Sequence, residues 1–319
     1  MLPRATTSAR AQTSSYIFQI LLARPLTLRR IPWELATLNL FQAIILGIVQ
    51  GLTEFLPISS TAHLRIVPAL AGWPDPGAAF TAVIQIGTLA AVIAYFRHDV
   101  VRIARAWAVG LVTRRPFAEL ESRLGWMMIV ATVPIVVCGL LFQEQIENQL
   151  RSLYVIAGAM IGLAVVLAGA EALVRRRLRA GIPQKQLEDV TWTDAIVTGM
   201  AQSVSLIPGS SRSGTTITAC LFRGLARDTA ARFSFLLSLP AVFAAGIYEL
   251  VKDADQLLNT SDDAAALIVS TLVSGVVGYA SIAFLLRYLR THSTYLFIVY
   301  RLIVGGLILF WLYNGTLEA

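Results

Sequence analysis

The chain has 319 residues, 56% of them hydrophobic and only 14% charged, with a mean hydropathy of +0.68. A soluble domain carries about 25% charged residues, so this balance excludes an ordinary soluble enzyme and indicates a polytopic membrane protein. The net charge of +7 is no sign of nucleic-acid binding here, because basic residues of membrane proteins gather in cytoplasmic loops. Cys138 and Cys220 both lie in apolar runs, and two such residues build neither a disulfide framework nor a zinc site.

Residues 1–35 carry Arg4, Arg10, Arg24, Arg29 and Arg30, with Glu34 as the first acid. The apolar run Tyr16–Ala23 fits a signal peptide only loosely, and Arg24-Pro25 is a poor cleavage site. An N-terminal extension over 1–37, disordered or lying on the membrane surface, is therefore expected. Leu38–Phe55 and Thr61–Leu70 are apolar but shorter than the roughly 20 residues of a span. Pro57 separates them, since it lacks an N–H and clashes with the preceding turn; together they predict a re-entrant hairpin. Ala78–Phe96 is a full span. The basic stretch Arg97–Arg123 has the spacing of an interfacial amphipathic helix around Val101–Trp107. Leu124–Phe142 and Leu153–Leu173 are spans joined by an acidic turn. Asp194–Ile207 and Thr215–Phe222 form a second broken pair around Pro208–Gly214. Spans Ala231–Val251, Ala266–Leu286 and Tyr295–Tyr313 follow. The fold class predicted is all-α: about six transmembrane helices plus two re-entrant broken-helix hairpins. The positive-inside rule puts loops 97–123, 174–193 and 287–294 in the cytoplasm and the acidic loops outside. It also leaves the basic extension outside, which the same rule disfavours.

Gly47–Ser60 (GIVQGLTEFLPISS) matches Gly199–Ser211 (GMAQSVSLIPGSS), with one residue missing from the second copy. Three spans lie between the copies, so the second is inverted relative to the first. Inverted repeats of discontinuous helices set a polar site near the bilayer midplane. A single membrane domain over 38–319 is expected, with halves 38–173 and 194–313.

Gln50 and Glu54 are four apart and share a helix face. Ser59 or Ser60 is placed to cap the next helix, and His63 follows Ser59 by four residues and Ser60 by three. Ser210-Ser211-Arg212-Ser213-Gly214-Thr215-Thr216 offers a cation, hydroxyls and a helix N-terminus, a combination that suits phosphate. Glu54 and His63 are candidates for acid–base or nucleophilic work. The bland alternatives are hydroxyls of Thr53, Thr61 and Thr218 bonded to their own backbone, and a purely structural ion pair between Glu54 and Arg212. Gly209–Thr216 has the outline of a P-loop but lacks its lysine and its strand. The set points to phosphoester or phosphoanhydride chemistry on a lipid.

Gln50–His63 (QGLTEFLPISSTAH) and Pro208–Thr216 (PGSSRSGTT) together resemble the signature of the undecaprenyl-pyrophosphate phosphatase, or bacitracin-resistance, family. Val83–Gly87, Phe233–Leu237 and Tyr300-Arg301 match as well, and the likeness runs over residues 38–313. Gln50 stands where many members have Glu. The resemblance implies hydrolysis of undecaprenyl pyrophosphate to undecaprenyl phosphate, which recycles the carrier lipid of peptidoglycan, in a bacterial inner membrane with the site open to the periplasm. It implies Glu54, Ser60, His63 and Arg212 as catalytic residues, with either Ser60 or His63 as nucleophile. Gln50, Ser59, Ser211, Ser213, Gly214 and Thr216 would contact the substrate. A divalent cation, Mg2+ or Ca2+, would sit on Glu54 and Gln50. The partners implied are the polyprenyl pyrophosphate and the membrane, without nucleic acid, and a homodimer is compatible. A lipid flippase or secondary transporter of the same architecture is the rival reading; the acid–base set favours catalysis. A lipid phosphatase family marked by Ser-Gly-His is weaker, because that tripeptide is absent.

Overall fold

The computed structural model describes residues 38–317; the expected extension over 1–37 lies outside the described residues. Helix α1 (Leu40–Phe55) opens on Asn39. The Asn39 side chain accepts from the Gln42 N–H while the Gln42 side chain accepts from the Asn39 N–H, a reciprocal cap. It ends before Pro57, whose ring forces the preceding residue out of helical geometry. Helix α2 (Ser60–Ala71) stops at Gly72, which takes the left-handed conformation that closes many helices. Then come α3 (Gly77–Tyr95), α4 (Arg97–Val112), α5 (Leu120–Leu141), the short α6 (Gln143–Glu147) and α7 (Leu153–Arg179). A 3-10 turn, Gln149–Arg151, precedes α7. The second half holds α8 (Trp192–Val204), α9 (Arg212–Phe222), α10 (Arg227–Lys252), the short α11 (Ala254–Leu257), α12 (Ser261–Leu289) and α13 (Tyr295–Tyr313).

Six of these, α3, α5, α7, α10, α12 and α13, are long and apolar enough to cross a membrane. Most run past the apolar windows that predicted them. Helix α7 continues through Arg176, Arg177 and Arg179 in its last turn, where cations suit the negative helix end. The two broken pairs are the short helices α1–α2 and α8–α9.

The halves interlock. Helix α12 of the second half packs on α1 and α3 of the first, and α5 of the first packs on α8 and α10 of the second. The last span of each half, α7 and α13, pack together. Small residues permit this exchange. A Cβ at Gly199 of α8 would stand 2.3 Å from the Ala131 carbonyl of α5, and one at the matching Gly47 of α1 would stand 2.7 Å from the Ser270 carbonyl of α12.

The basic face is fastened by three buried carboxylates. Asp99 of α4 accepts from Arg102 and from Arg232 of α10, each at 2.7 Å. Glu171 of α7 holds Arg227 and the Thr294 hydroxyl. Asp194 of α8 holds Lys185 and Arg223. Burial alone would raise the Asp99 carboxyl; the hydrogen bonds and charges of Arg232 and Arg102 outweigh it and hold the group below the ordinary carboxylate range.

Candidate active site

The two backbone breaks meet, and they are built alike. Ser59 (φ 77°) and Ser211 (φ 69°) both take positive φ just before a helix, a region that costs a non-glycine residue about 1–3 kcal/mol. Each is an N-cap: Ser59 Oγ accepts from the Ala62 N–H at 3.4 Å and Ser211 Oγ from the Gly214 N–H at 3.1 Å. Each also pairs with the hydroxyl two residues on, Thr61 or Ser213, at 3.1 Å. Those second hydroxyls cross to the other break. Thr61 Oγ1 accepts from the Gly209 N–H, and Ser213 Oγ donates to the Leu56 carbonyl, both at 3.2 Å. Gly209 has φ 94°, and a Cβ there would stand 2.4 Å from the Ile156 carbonyl of α7, so no other residue fits.

Arg301 of α13 locks the junction. It is fully buried and donates to the carbonyls of Pro57 (3.2 Å), Gly209 (2.9 Å), Ala159 (3.2 Å) and Met160 (3.0 Å). One guanidinium thus ties both breaks to the backbone of α7.

The residue after each cap serine then points to one carboxylate. Ser60 Oγ donates to Glu54 Oε2 at 2.7 Å, and Arg212 Nη2 bonds Glu54 Oε1. Gln50, one turn back on α1, donates Nε2 to Glu54 Oε2 at 2.9 Å. Glu54 therefore lies between equivalent positions of the two halves. Two groups at this cluster are buried without a hydrogen-bond partner among the described residues: Gln50 Oε1 and Arg212 Nη1. A buried donor and a buried acceptor left without partners are costly, and a bound anion with its water or counter-ion would relieve both.

A cavity of about 490 Å³ opens off this cluster. Its polar floor holds Glu54, Ser60, Thr61, Ser211 and Arg212. Its walls are apolar, from Ala82 of α3, Ile135, Val136 and Leu140 of α5, and Val242 and Ala245 of α10. Toward the connections before α3, before α7 and after α10 it is lined by Arg65, Arg151, Gln143 and Tyr248. Those connections lie at the ends of the spans away from the basic loops. A polar floor beneath an apolar chute is the shape of a lipid headgroup with its chain.

The predicted site residues divide. Glu54, Gln50, Ser60 and Arg212 are brought together. Ser59 and Ser211 shape the breaks as caps, and Ser211 also lines the cavity. Ser213 spends its hydroxyl on Leu56 and Ser211. The Gly214 N–H, expected to face phosphate, is taken by Ser211. Thr216 is fully buried and bonds Ser234 Oγ at 2.5 Å and the Arg212 carbonyl at 2.7 Å, so it braces α9 against α10 rather than reaching the cavity. His63 is turned away from Glu54. Its Nδ1 meets the Ser59 carbonyl and its Nε2 the Tyr300 hydroxyl, each at 2.7 Å, and its ring stacks on Tyr300. On α2 the cavity takes Ser60, Thr61 and Arg65; His63 lies about 60° from Ser60 on the side away from the other two, where α13 brings Tyr300. Sequence reasoning missed Arg65, Arg151, Gln85 and Ser205 as cavity-lining residues. Only Arg65 carried a signal, four residues after Thr61.

Comparison with known proteins accords with this geometry. Residues 43–307 match the family model described as "Bacitracin resistance protein BacA". A protein of Chlorobium limicola named undecaprenyl-diphosphatase is 58% identical over 282 residues, covering 88% of this chain and 100% of its own length. One of Chloroherpeton thalassium with the same name is 61% identical over the same shares. One of Chlorobaculum tepidum, also so named, is 60% identical over 85% of this chain and 96% of its own. With its two hairpins, its shared carboxylate and this match over most of its length, the chain belongs to the bacitracin resistance protein BacA family.

Proposed function

We propose that this membrane protein is a phosphatase that hydrolyses undecaprenyl pyrophosphate to undecaprenyl phosphate and inorganic phosphate, the activity its relatives are named for. The observation that carries it is the contact of Ser60 and Arg212 with Glu54 on the floor of an apolar-walled cavity. The isoprenoid chain lies along the walls from α3, α5 and α10, and the pyrophosphate reaches the floor. Arg212, through its unpaired Nη1, holds the terminal phosphate. Glu54 Oε2 takes the proton of Ser60 as Ser60 Oγ bonds the terminal phosphorus. The bond from that phosphorus to the bridging oxygen breaks, and the lipid phosphate leaves with the electron pair. Glu54 hands that proton to the departing lipid phosphate. Water then attacks the phosphoserine, Glu54 takes its proton and passes it to Ser60 Oγ as the phosphorus–Oγ bond breaks, and both Ser60 and the Glu54 carboxylate are restored. The 2.7 Å Ser60–Glu54 bond favours serine as nucleophile over His63, which is engaged with Tyr300.

The residues fit a divalent cation that arrives with the substrate. A hard cation takes one or two carboxylates and completes its shell from phosphate and water, and Glu54 with the unpaired Gln50 Oε1 would hold it. Among the described residues no cluster of three acidic, histidine or cysteine side chains exists to hold one unaided. When bound, it would neutralise charge on the departing phosphate.

The chain is multi-pass, and we assign it to the bacterial inner membrane with the cavity open to the outer side, since the basic loops lie at the opposite end. There it would recycle the carrier lipid of the cell wall and confer bacitracin resistance. The test is phosphate release from undecaprenyl pyrophosphate in detergent. Glu54→Gln, Ser60→Ala and Arg212→Gln are each expected to lower kcat by about 10²–10⁴. Phosphate trapped during turnover is expected on Ser60. Trapping on His63, or full activity of Arg212→Gln, would sink the assignment.

A further inference from the structure

The cavity carries arginines at both ends, and hydrolysis at Glu54 uses only Arg212 of the floor. The outer end carries Arg65 of α2 and Arg151 of the 3-10 turn before α7, both lining the same space as Glu54 and Arg212. They share one carboxylate, Asp75, in the connection between α2 and α3. Arg151 Nη2 reaches both Asp75 oxygens, at 3.0 and 2.8 Å. Arg65 Nε stands 3.6 Å from Asp75 Oδ2, beyond hydrogen-bond range, and is buried without a hydrogen-bond partner among the described residues. Two cations thus hold one anion with a donor to spare. Glu249, which also lines the cavity, is ion-paired with Lys252 at 3.8 Å. Asp75 Oδ1 also accepts the Gly77 N–H at 3.1 Å, but partly exposed ion pairs of this kind are weak, and a multivalent anion able to satisfy both arginines at once would compete with Asp75 for them.

Along α2, Arg65 follows Ser60 by five residues, about 7.5 Å of helix. The geometry points to a second phosphate station: Arg65 and Arg151 bind a phosphate group in transit between the outer mouth and Arg212, and Asp75 is the place-holder it displaces. The idea rests on the reading of the floor as a phosphate site. The group held is either the terminal phosphate of the incoming lipid or the inorganic phosphate released from it.

The test separates these and also separates this station from the hydrolysis itself. Inorganic phosphate is titrated into the full chain in detergent with Arg212→Gln, which silences the floor and needs no turnover. Binding is expected to persist, to weaken at least about fivefold when Arg65→Gln or Arg151→Gln is added, and to tighten when Asp75→Asn is added. The opposite sign of Asp75→Asn is what a merely structural ion pair would not give. If Arg212→Gln alone abolishes binding, or Asp75→Asn weakens it like the arginine variants, the station does not exist. In the otherwise unaltered enzyme, Asp75→Asn then reports the source. Stronger inhibition by added phosphate with unchanged KM marks a station for the released ion, whereas a parallel fall in KM marks one for the incoming headgroup. Should the unaltered chain release no phosphate from the lipid while Asp75→Asn still tightens binding, the station stands and the hydrolysis reading falls.

Discussion

Glu54 and Arg301 divide the work at the meeting of the two breaks. Glu54 gathers the reacting groups; Arg301 gathers the backbone. A guanidinium offers five donors in a rigid fork, and Arg301 spends it on four carbonyls from three separate segments. Lysine has the charge but neither the reach nor the fork. Arg301→Lys is therefore expected to leave about two buried carbonyls unsatisfied and to cost about 2–4 kcal/mol of stability, measured as a lower melting temperature in detergent. Turnover is expected to fall more than KM rises, because the apolar walls are untouched. Sequence reasoning reached the Glu54–Arg212 pair, since an intramembrane acid and base at matched breaks seek each other. It set His63 on the face of Ser60, three residues before it, but the ring lies about 60° beyond that residue, against the Ser59 carbonyl and Tyr300, and no spacing within α2 shows that α13 brings Tyr300 there. Arg301 showed in the sequence only as part of a matched dipeptide, because its acceptors are backbone atoms that no side-chain pattern records.

Among the elements, the short helices were legible, α3 and α13 were placed to within a residue, and the other four spans were cut short. Pro57 and Pro208 announce the breaks directly. The ends of α7, α10 and α12 were hidden because apolar windows stop at the first charges, while helices continue through basic residues that reach back to water. What the pattern could not give was the exchange of α5 and α12 between the halves, which depends on backbone approach at glycines. That approach is testable. Gly199→Ala and Gly47→Ala are each expected to lose about 1–3 kcal/mol by overpacking. Gly158→Ala on α7, where a Cβ meets nothing within 4 Å, is expected to be neutral or to stabilise by about 0.5–1 kcal/mol. Thermal unfolding of the three variants in one detergent decides it.

For the whole molecule, the repeat and the placement of charge were readable in the chain, and the cavity was not. Arg65 comes from α2, Asp75 from the link after it and Arg151 from the turn before α7, and no spacing predicts their proximity. The basic face illustrates how charge holds the fold. The Asp99 carboxyl is lowered in the folded protein, so its contribution is fully present above the ordinary value of about 3.9 and is lost as pH falls through the folded value. Asp99→Asn is expected to cost about 1 kcal/mol near neutrality, discounted for the exposed Arg102, and to flatten the loss of stability below about pH 4. Melting curves taken across that range check both. Finally, the cap serines Ser59 and Ser211 set the two copies in register without the missing residue that the sequence match supposes, so Ser60 and Arg212 stand at equivalent positions, and both touch Glu54, whose counterpart in the other half is Leu206. Two identical halves would offer two serines or two arginines there, never one of each. Hydroxyl and cation therefore meet on one carboxylate only because the halves differ, and a chain carrying the same residue after both cap serines would lack one of the two.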